Sequence, residues 1–384
     1  MPTTRFKNTV YRVMLPFCAP SCGKAPVSSV SGHLLNEQDR FVTLIRKHHV
    51  LGSATLLSDG HDQSLVFTDS EKPAHRPDPD TYFRVASITK IATAVLAMRL
   101  SDQGLLTLDE QISSFLRLDP LPDELSGVTL RHLLSHTSGL MDPPTLEKDL
   151  ESGRTIPEVV SGMRRSLPGD TFRYSNLGYG LIGCVIEAVT GRPLDLVFDT
   201  ELFSPLGMDA TLSGCSLPAE RIMPVTRILP YREGNDLILT PLGKVPLTSA
   251  DPLRHFGHTA GSMYTTAQSL RKLLDVLIAN ESSFLSPSSV SEMKKQHASY
   301  GSLSPTLSYG LGLLQINDPH ISSSRILGHQ GFAYGCGDGA FWEEETGRLI
   351  IFLNGGCSEA RSGRLGSANR DFLIWAFRKE LPTW

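Results

Sequence analysis

The stretch "FRVASITKIATAVLAMRLSDQG", residues 83–104, predicts a strongly apolar helix that begins near Ser87 and ends at Gly104. Its first turn carries Lys90, three residues after Ser87. A cation at a helix N-terminus opposes the helix dipole, and a buried ammonium group is costly unless it is paired. Lys90 therefore lies either at the surface or in a site whose chemistry needs an amine.

The composition of the whole chain limits the class of protein to which this helix belongs. The chain has 384 residues, 40% of them hydrophobic, and a formal net charge of −4. This balance favours a large globular domain and gives no electrostatic reason to expect nucleic acid or an anionic membrane as a partner. No stretch is long and apolar enough to span a bilayer.

The six cysteines include one close pair, Cys18 and Cys22, and are predicted to be free thiols. The N-terminus lacks the sustained apolar run of a secretory signal, so we expect a cytoplasmic protein.

The order of the predicted elements indicates an α+β fold. Residues 1–33 are rich in Pro, Ser and Thr and predict an N-terminal extension, whereas 34–384 predict one domain. A hairpin is expected about Asp59-Gly60 and another in 339–356, each next to an amphipathic helix. These patterns predict an α/β lobe built from about 34–95 and 255–384, with a mainly helical region at about 96–254. Within that region, 176–190 predict an apolar helix that ends at Gly191.

Several common catalytic and metal motifs are missing from the sequence. It has no GxSxG and no GxxxxGK[ST]. His132 and His136 have i, i+4 spacing, but Leu133 stands where a zinc peptidase needs a glutamate, which favours a structural role for both histidines. His255 and His258 have no third ligand nearby and are interpreted as loop residues. We expect no metal site and no cofactor.

Three short motifs then occur in one order: SITK at 87–90, YSN at 174–176 and HQG at 329–331. Their order, spacing and flanks resemble the class C β-lactamase-related serine hydrolases, a group of penicillin-recognising enzymes that includes esterases, D-aminopeptidases and acyltransferases. The resemblance runs from about residue 35 to the C-terminus. It implies a β-lactamase/transpeptidase-like fold, in which an antiparallel sheet is flanked by helices and carries an inserted mainly helical region.

The resemblance also implies catalytic roles. Ser87 would attack an acyl carbon and form an acyl-enzyme. Tyr174 would be the general base if a nearby cation lowered its pKa from the usual value of about 10; Lys90 would then be that cation, or itself the base. The backbone N–H groups of Ser87 and Phe332 would form an oxyanion hole.

The remaining motif residues would bind substrate. Asn176 would donate to the substrate carbonyl and help to hold Lys90, and His329 would contact substrate or Tyr174. Gly331 would let substrate approach the strand edge. β-Lactamases carry a lysine where this chain has His329, and a neutral imidazole supplies no cation for a β-lactam carboxylate. Efficient β-lactam hydrolysis is therefore not expected.

Each motif also has a structural interpretation. Ser87 is otherwise a helix cap, Tyr174 and Asn176 are loop residues, and His329 is a strand-end histidine. The glycines at 178, 180 and 183 predict close helix packing. The functional hypothesis is a serine hydrolase that acts through acyl-Ser87 on an ester, amide or D-peptide, with a small-molecule or short-peptide substrate. The alternatives are an acyltransferase with the same intermediate and a non-catalytic relative that kept the fold.

Overall fold

A nine-stranded antiparallel sheet is the centre of the computed structural model. The structure describes residues 8–10, 13–14, 27–31, 38–68, 76–163, 166–228, 231–233, 247–279, 283–302, 304–333 and 335–378. The strands of this sheet are β1 (Val27–Ser31), β2 (Ser53–Ser58), β3 (Gln63–Thr68), β9 (Ala298–Ser299), β10 (Leu307–Tyr309), β11 (Leu314–Ile316), β12 (Ile326–Ala333), β13 (Cys336–Glu343) and β14 (Leu349–Asn354). Their spatial order is β1-β3-β2-β14-β13-β12-β11-β10-β9, so both ends of the chain build one sheet.

Short strands lie outside this sheet. They are β4 (Phe83–Arg84), β5 (Ala210–Thr211), β6 (Thr226–Ile228), β7 (Tyr231–Glu233), β8 (Tyr264–Thr265), β15 (Arg361–Ser362) and β16 (Leu365–Gly366). Strand β8 joins β4 to β5, which ties the segment before Ser87 to the helical part of the chain.

The α-helices are Gln38–Lys47, Thr89–Asp102, Ile112–Leu116, Leu130–Leu134, Leu146–Glu151, Ile156–Val160, Asn176–Thr190, Leu194–Phe198, His258–Gly261, Ala267–Ile278, Pro287–Lys294 and Ser367–Phe377. The helix Thr89–Asp102 is buried on nearly every side, as its continuous apolar sequence requires. It contacts β12 on one side and the helix Asn176–Thr190 on another. The fold is therefore α+β, with an antiparallel sheet flanked by helices.

Most of the predicted elements are confirmed. β2 and β3 form the first hairpin, and β13 and β14 form the second. Gly104 adopts a left-handed conformation with φ of 73° just beyond the helix Thr89–Asp102. Gly191 ends the helix Asn176–Thr190 in the same way, with φ of 64°.

One local prediction is wrong. His258 was interpreted as a loop residue, yet it is the buried first residue of the helix His258–Gly261.

Strand β1 lies inside the predicted N-terminal extension and pairs with β3 at the edge of the sheet. The domain boundaries near 33, 95 and 255 stay a prediction, as does the compartment. In the described part of the chain, no helix combines the length and apolarity needed to cross a bilayer. Four cysteines there, at 184, 215, 336 and 357, are free thiols, while Cys18 and Cys22 lie outside the described residues.

Candidate active site

Ser87 lies in a tight turn that precedes the helix Thr89–Asp102. The turn is a 3₁₀ segment, Ala86–Ile88, and Ala86 has φ of 46°, which is uncommon for a residue with a Cβ. Thr89 Oγ1 stabilises the turn because it donates to the Ala86 carbonyl oxygen at 2.6 Å. Ser87 remains partly exposed, whereas Lys90 is completely buried. The buried alternative for Lys90 is therefore the correct one.

Three oxygen atoms surround the Lys90 amine. Its Nζ lies 3.1 Å from Ser87 Oγ, 2.9 Å from Asn176 Oδ1 and 2.6 Å from the carbonyl oxygen of Ala260. Burial lowers the Lys90 pKa to about 7, and the negative charge of Asp142 opposes part of that change. Near neutral pH the amine is thus present in both its charged and its neutral form.

The close approach of Ala260 depends on small residues in a neighbouring helix. A Cβ at Gly180 would overlap the backbone carbonyl of Phe256, and one at Gly183 would lie 2.8 Å from Thr259 Oγ1. Gly178 has only ordinary neighbours, the nearest 3.5 Å away. The predicted close packing is confirmed at Gly180 and Gly183, where it brings the 256–260 segment beside Lys90.

Tyr174 is directed at the same serine. Its hydroxyl donates to Ser87 Oγ at 2.9 Å, and Lys90 Nζ lies 4.9 Å from its ring centroid. Burial raises the Tyr174 pKa well above its usual value of 10, and the hydrogen bond with Ser87 offsets only part of this. The resting phenol is therefore protonated, which differs from the lowered pKa that a tyrosine base requires.

The motif around Tyr174 is held by residues that sequence reasoning treated as structural or did not find. His136 Nδ1 accepts the backbone N–H of Ser175 at 3.2 Å, and its ring centroid lies 4.3 Å from that of Tyr174. Burial lowers the His136 pKa well below 6.5, so this ring is a neutral support. Asp142, which no motif indicated, accepts the Asn176 backbone N–H at 2.9 Å and Nδ2 at 3.0 Å. The local signal for such an acceptor is weak, since every helix start leaves amides to be satisfied.

Strand β12 passes beside the Ser87 turn. A Cβ at Gly331 would overlap the Val85 carbonyl oxygen, so glycine is needed there for the strand to approach the turn. This packing reason differs from the expected role of Gly331 in admitting substrate. Phe332, the next residue, borders the same cleft as Ser87.

His329 lies deeper than expected. Its side chain is buried, and its ring centroid is 6.2 Å from that of Tyr174. Nδ1 donates to the Gln330 carbonyl at 2.7 Å, which leaves Nε2 to accept the Tyr309 hydroxyl at 2.9 Å. Burial, followed by the charge of Lys90, lowers the His329 pKa to about 3. Both nitrogens are occupied, so this neutral imidazole supports the tyrosines and does not offer a hydrogen bond to substrate.

A cleft of about 310 Å³ opens at Ser87. Its lining residues are Arg84, Ala86, Ser87, Leu146, Leu150, Asn176, Gly257, Ala260, Gly261, Phe332 and Ala333. It therefore brings together Ser87 of the first motif, Asn176 of the second, and Phe332 and Ala333, which directly follow the third. Within the described ranges, no group of three or more His, Cys, Asp or Glu side chains is arranged to hold a metal ion.

Two further histidines that the sequence singled out, His132 and His255, have structural partners. His132 Nδ1 accepts the backbone N–H of Thr129 at 3.2 Å in a capping box. His255 Nδ1 lies 2.9 Å from both carboxylate oxygens of Glu187, whose side chain is fully buried. His255 is in a loop, as expected, but its side chain is buried and paired with Glu187.

Comparisons with known proteins identify the family of the chain. The beta-lactamase family model matches residues 38–355. Esterase EstB of Burkholderia gladioli is 28% identical over 376 residues, which cover 86% of this chain and 92% of the esterase. Penicillin-binding protein 4 of Amycolatopsis lactamdurans is 30% identical over 250 residues, and the match spans 61% of that protein and 56% of this chain.

A solved structure shows the same architecture. The D-amino acid amidase of Ochrobactrum anthropi, complexed with D-phenylalanine, superposes with a TM-score of 0.65 at 26% identity and covers 88% of this chain and 94% of its own. The family match includes the turn at Ser87, the YSN segment and strand β12. The chain therefore belongs to the beta-lactamase family of serine hydrolases.

Proposed function

We propose that the protein hydrolyses small carboxylic esters or amides through an acyl intermediate on Ser87. The observation that carries this proposal is the position of Ser87 Oγ, 3.1 Å from Lys90 Nζ and 2.9 Å from the Tyr174 hydroxyl at the edge of the cleft. A serine hydroxyl is a weak nucleophile until a neighbouring group accepts its proton.

Lys90 is the proton acceptor in this proposal. A neutral amine has two N–H bonds and one lone pair. Asn176 Oδ1 and the Ala260 carbonyl oxygen only accept hydrogen bonds, so they take the two N–H groups and leave the lone pair directed at Ser87 Oγ. The lowered pKa makes the neutral form available near pH 7.

Tyr174 supplies the other proton transfer. As Ser87 Oγ bonds to the acyl carbon, the proton of the Ser87 hydroxyl passes to Lys90. The bond between the acyl carbon and the leaving oxygen or nitrogen then breaks, and Tyr174 donates its hydroxyl proton to the leaving group. The Lys90 ammonium then returns a proton to Tyr174. The N–H groups of Ser87 and Phe332 would stabilise the negative oxygen between these steps, which is consistent with the place of both residues at the cleft.

The cleft and the relatives together favour a short apolar acyl group. Leu146 and Leu150 form an apolar part of its wall, and Ala86, Ala260 and Gly261 are small residues of the lining. Its volume of about 310 Å³ suits a small ligand. The relative matched over most of both chains is named an esterase, so esters are the first substrates to test, before D-amino acid amides. His329 is neutral near pH 7, so it supplies no cation to bind a β-lactam carboxylate.

The proposal is tested with a fluorophosphonate probe, intact mass analysis and phenyl esters of increasing acyl length. We expect one adduct, lost in Ser87→Ala and kept in Ser114→Ala, a control at an exposed helix serine. Esters with short acyl chains should be cleaved fastest. Absence of a Ser87-dependent adduct together with absence of ester cleavage would instead favour the non-catalytic alternative. Adding a second alcohol and analysing the products separates hydrolysis from acyl transfer.

A further inference from the structure

Asp142 makes more hydrogen bonds than the capping of a helix needs. Its Oδ1 accepts Ser175 Oγ at 2.8 Å and the Leu177 N–H at 3.0 Å. Its Oδ2 accepts the Asn176 backbone N–H at 2.9 Å and also Asn176 Nδ2 at 3.0 Å. Three of these bonds stabilise the start of the helix Asn176–Thr190, where a carboxylate is favoured. The fourth reaches a side chain that contacts Lys90.

That fourth bond determines which end of the Asn176 amide faces Lys90. The two ends of an amide differ, because Oδ1 accepts hydrogen bonds and Nδ2 donates them. With Nδ2 held by Asp142, Oδ1 lies 2.9 Å from Lys90 Nζ. The reversed amide would place two acceptors together at Asp142 and two donors together at a charged Lys90.

The reversed amide would also affect neutral Lys90. Nδ2 would then donate to the amine lone pair, which is the group that should accept the Ser87 proton. We infer that Asp142 is a positioning residue for the reaction, because its carboxylate holds the Asn176 carbonyl oxygen toward Lys90 and so keeps the Lys90 lone pair on Ser87. This inference rests on the proposed function and concerns how its base is supported.

The charge of Asp142 acts on the same amine. Four other titratable side chains surround Lys90: Tyr174, Tyr179, His136 and His329. Burial raises the pKa of both tyrosines and lowers the pKa of both histidines, so all four are neutral near pH 7. Within the described residues, Asp142 is the charged group that changes the Lys90 pKa, and it raises it.

The test compares Asp142→Asn with Ser175→Ala in the full chain. Asp142→Asn removes the charge and no longer imposes one orientation on the Asn176 amide. We expect kcat to fall on the order of tenfold or more, with a smaller change in KM, and the acid limb of kcat/KM to move to lower pH. Ser175→Ala removes the hydroxyl that bonds Asp142 and caps the Gly178 N–H. It should lower Tm and leave the acid limb in place.

The possible results separate the inference from the proposed function. If Asp142→Asn lowers Tm but keeps the wild-type kcat and acid limb, Asp142 is only a helix cap and the inference is wrong. If Asp142→Asn does not fold, Asp142→Glu replaces it in the test, because it keeps the charge but displaces the carboxylate. It should lower kcat and leave the acid limb of kcat/KM unchanged. A wild-type kcat in Asp142→Glu overturns the inference. Activity that survives Ser87→Ala refutes the proposed function itself.

Discussion

The pH dependence of ester cleavage should follow the ionisation of Lys90. Only the neutral amine accepts the Ser87 proton, so activity is lost as the pH falls through the Lys90 pKa of about 7. For a single group with this pKa, kcat/KM falls tenfold for each pH unit well below it. At pH 5 it should be about one hundredth of the plateau value. Phenyl butyrate with chromatographic detection of the acid product is a suitable assay between pH 5 and 9.

Two variants distinguish Lys90 from Tyr174 as the base. Lys90→Arg keeps a cation that does not lose its proton, and it should lower kcat/KM by about a thousandfold. Tyr174→Phe removes a proton donor but leaves the amine, so the rate should fall while the acid limb near pH 7 remains. Loss of that limb in Tyr174→Phe, or its presence in Lys90→Arg, would refute the assignment of Lys90.

Four further substitutions test the packing. Gly180→Ala introduces a Cβ that would overlap a backbone carbonyl, so it should destabilise the fold by about 1–3 kcal/mol in urea unfolding. Gly178→Ala is the control: it has no such overlap and should be neutral or stabilising by up to about 1 kcal/mol. Gly331→Ala should displace strand β12 from the Ser87 turn and slow fluorophosphonate labelling, and labelling at the wild-type rate would contradict this. His255→Ala should cost about 1–3 kcal/mol by calorimetry, because it removes one hydrogen-bond partner of the buried Glu187 side chain, which the backbone N–H groups of Leu194 and Asp251 still contact; an unchanged Tm would show that the pair contributes nothing.

Local patterns in the sequence predicted the elements that carry the motifs. The apolar run after Ser87 indicated a core helix, and Gly104 and Gly191 adopt the left-handed conformation that ends each helix. The two hairpins followed from alternating apolar runs around turn residues. Such features depend on neighbours within a few residues, so they can be predicted from the sequence.

Contacts between distant residues could not be predicted in this way. The support of Asn176 by Asp142 joins positions 34 residues apart, and the Ala260 carbonyl reaches Lys90 across 170 residues. His329 illustrates the same limit. Its motif predicted contact with substrate or Tyr174, and its ring does lie beside that of Tyr174. The hydrogen bonds that bury both of its nitrogens against Gln330 and Tyr309 could be found only in the folded chain.

By itself, the sequence determined which side chains are present and their order in three motifs, including the three-residue spacing between Ser87 and Lys90. Only the tertiary structure decided their ionisation. Burial favours neutral Lys90 and protonated Tyr174, because a low-dielectric surrounding disfavours the charged form of each. The identity of an amine or a phenol is a property of the chain, whereas its pKa is a property of the groups and the solvent that the fold places around it.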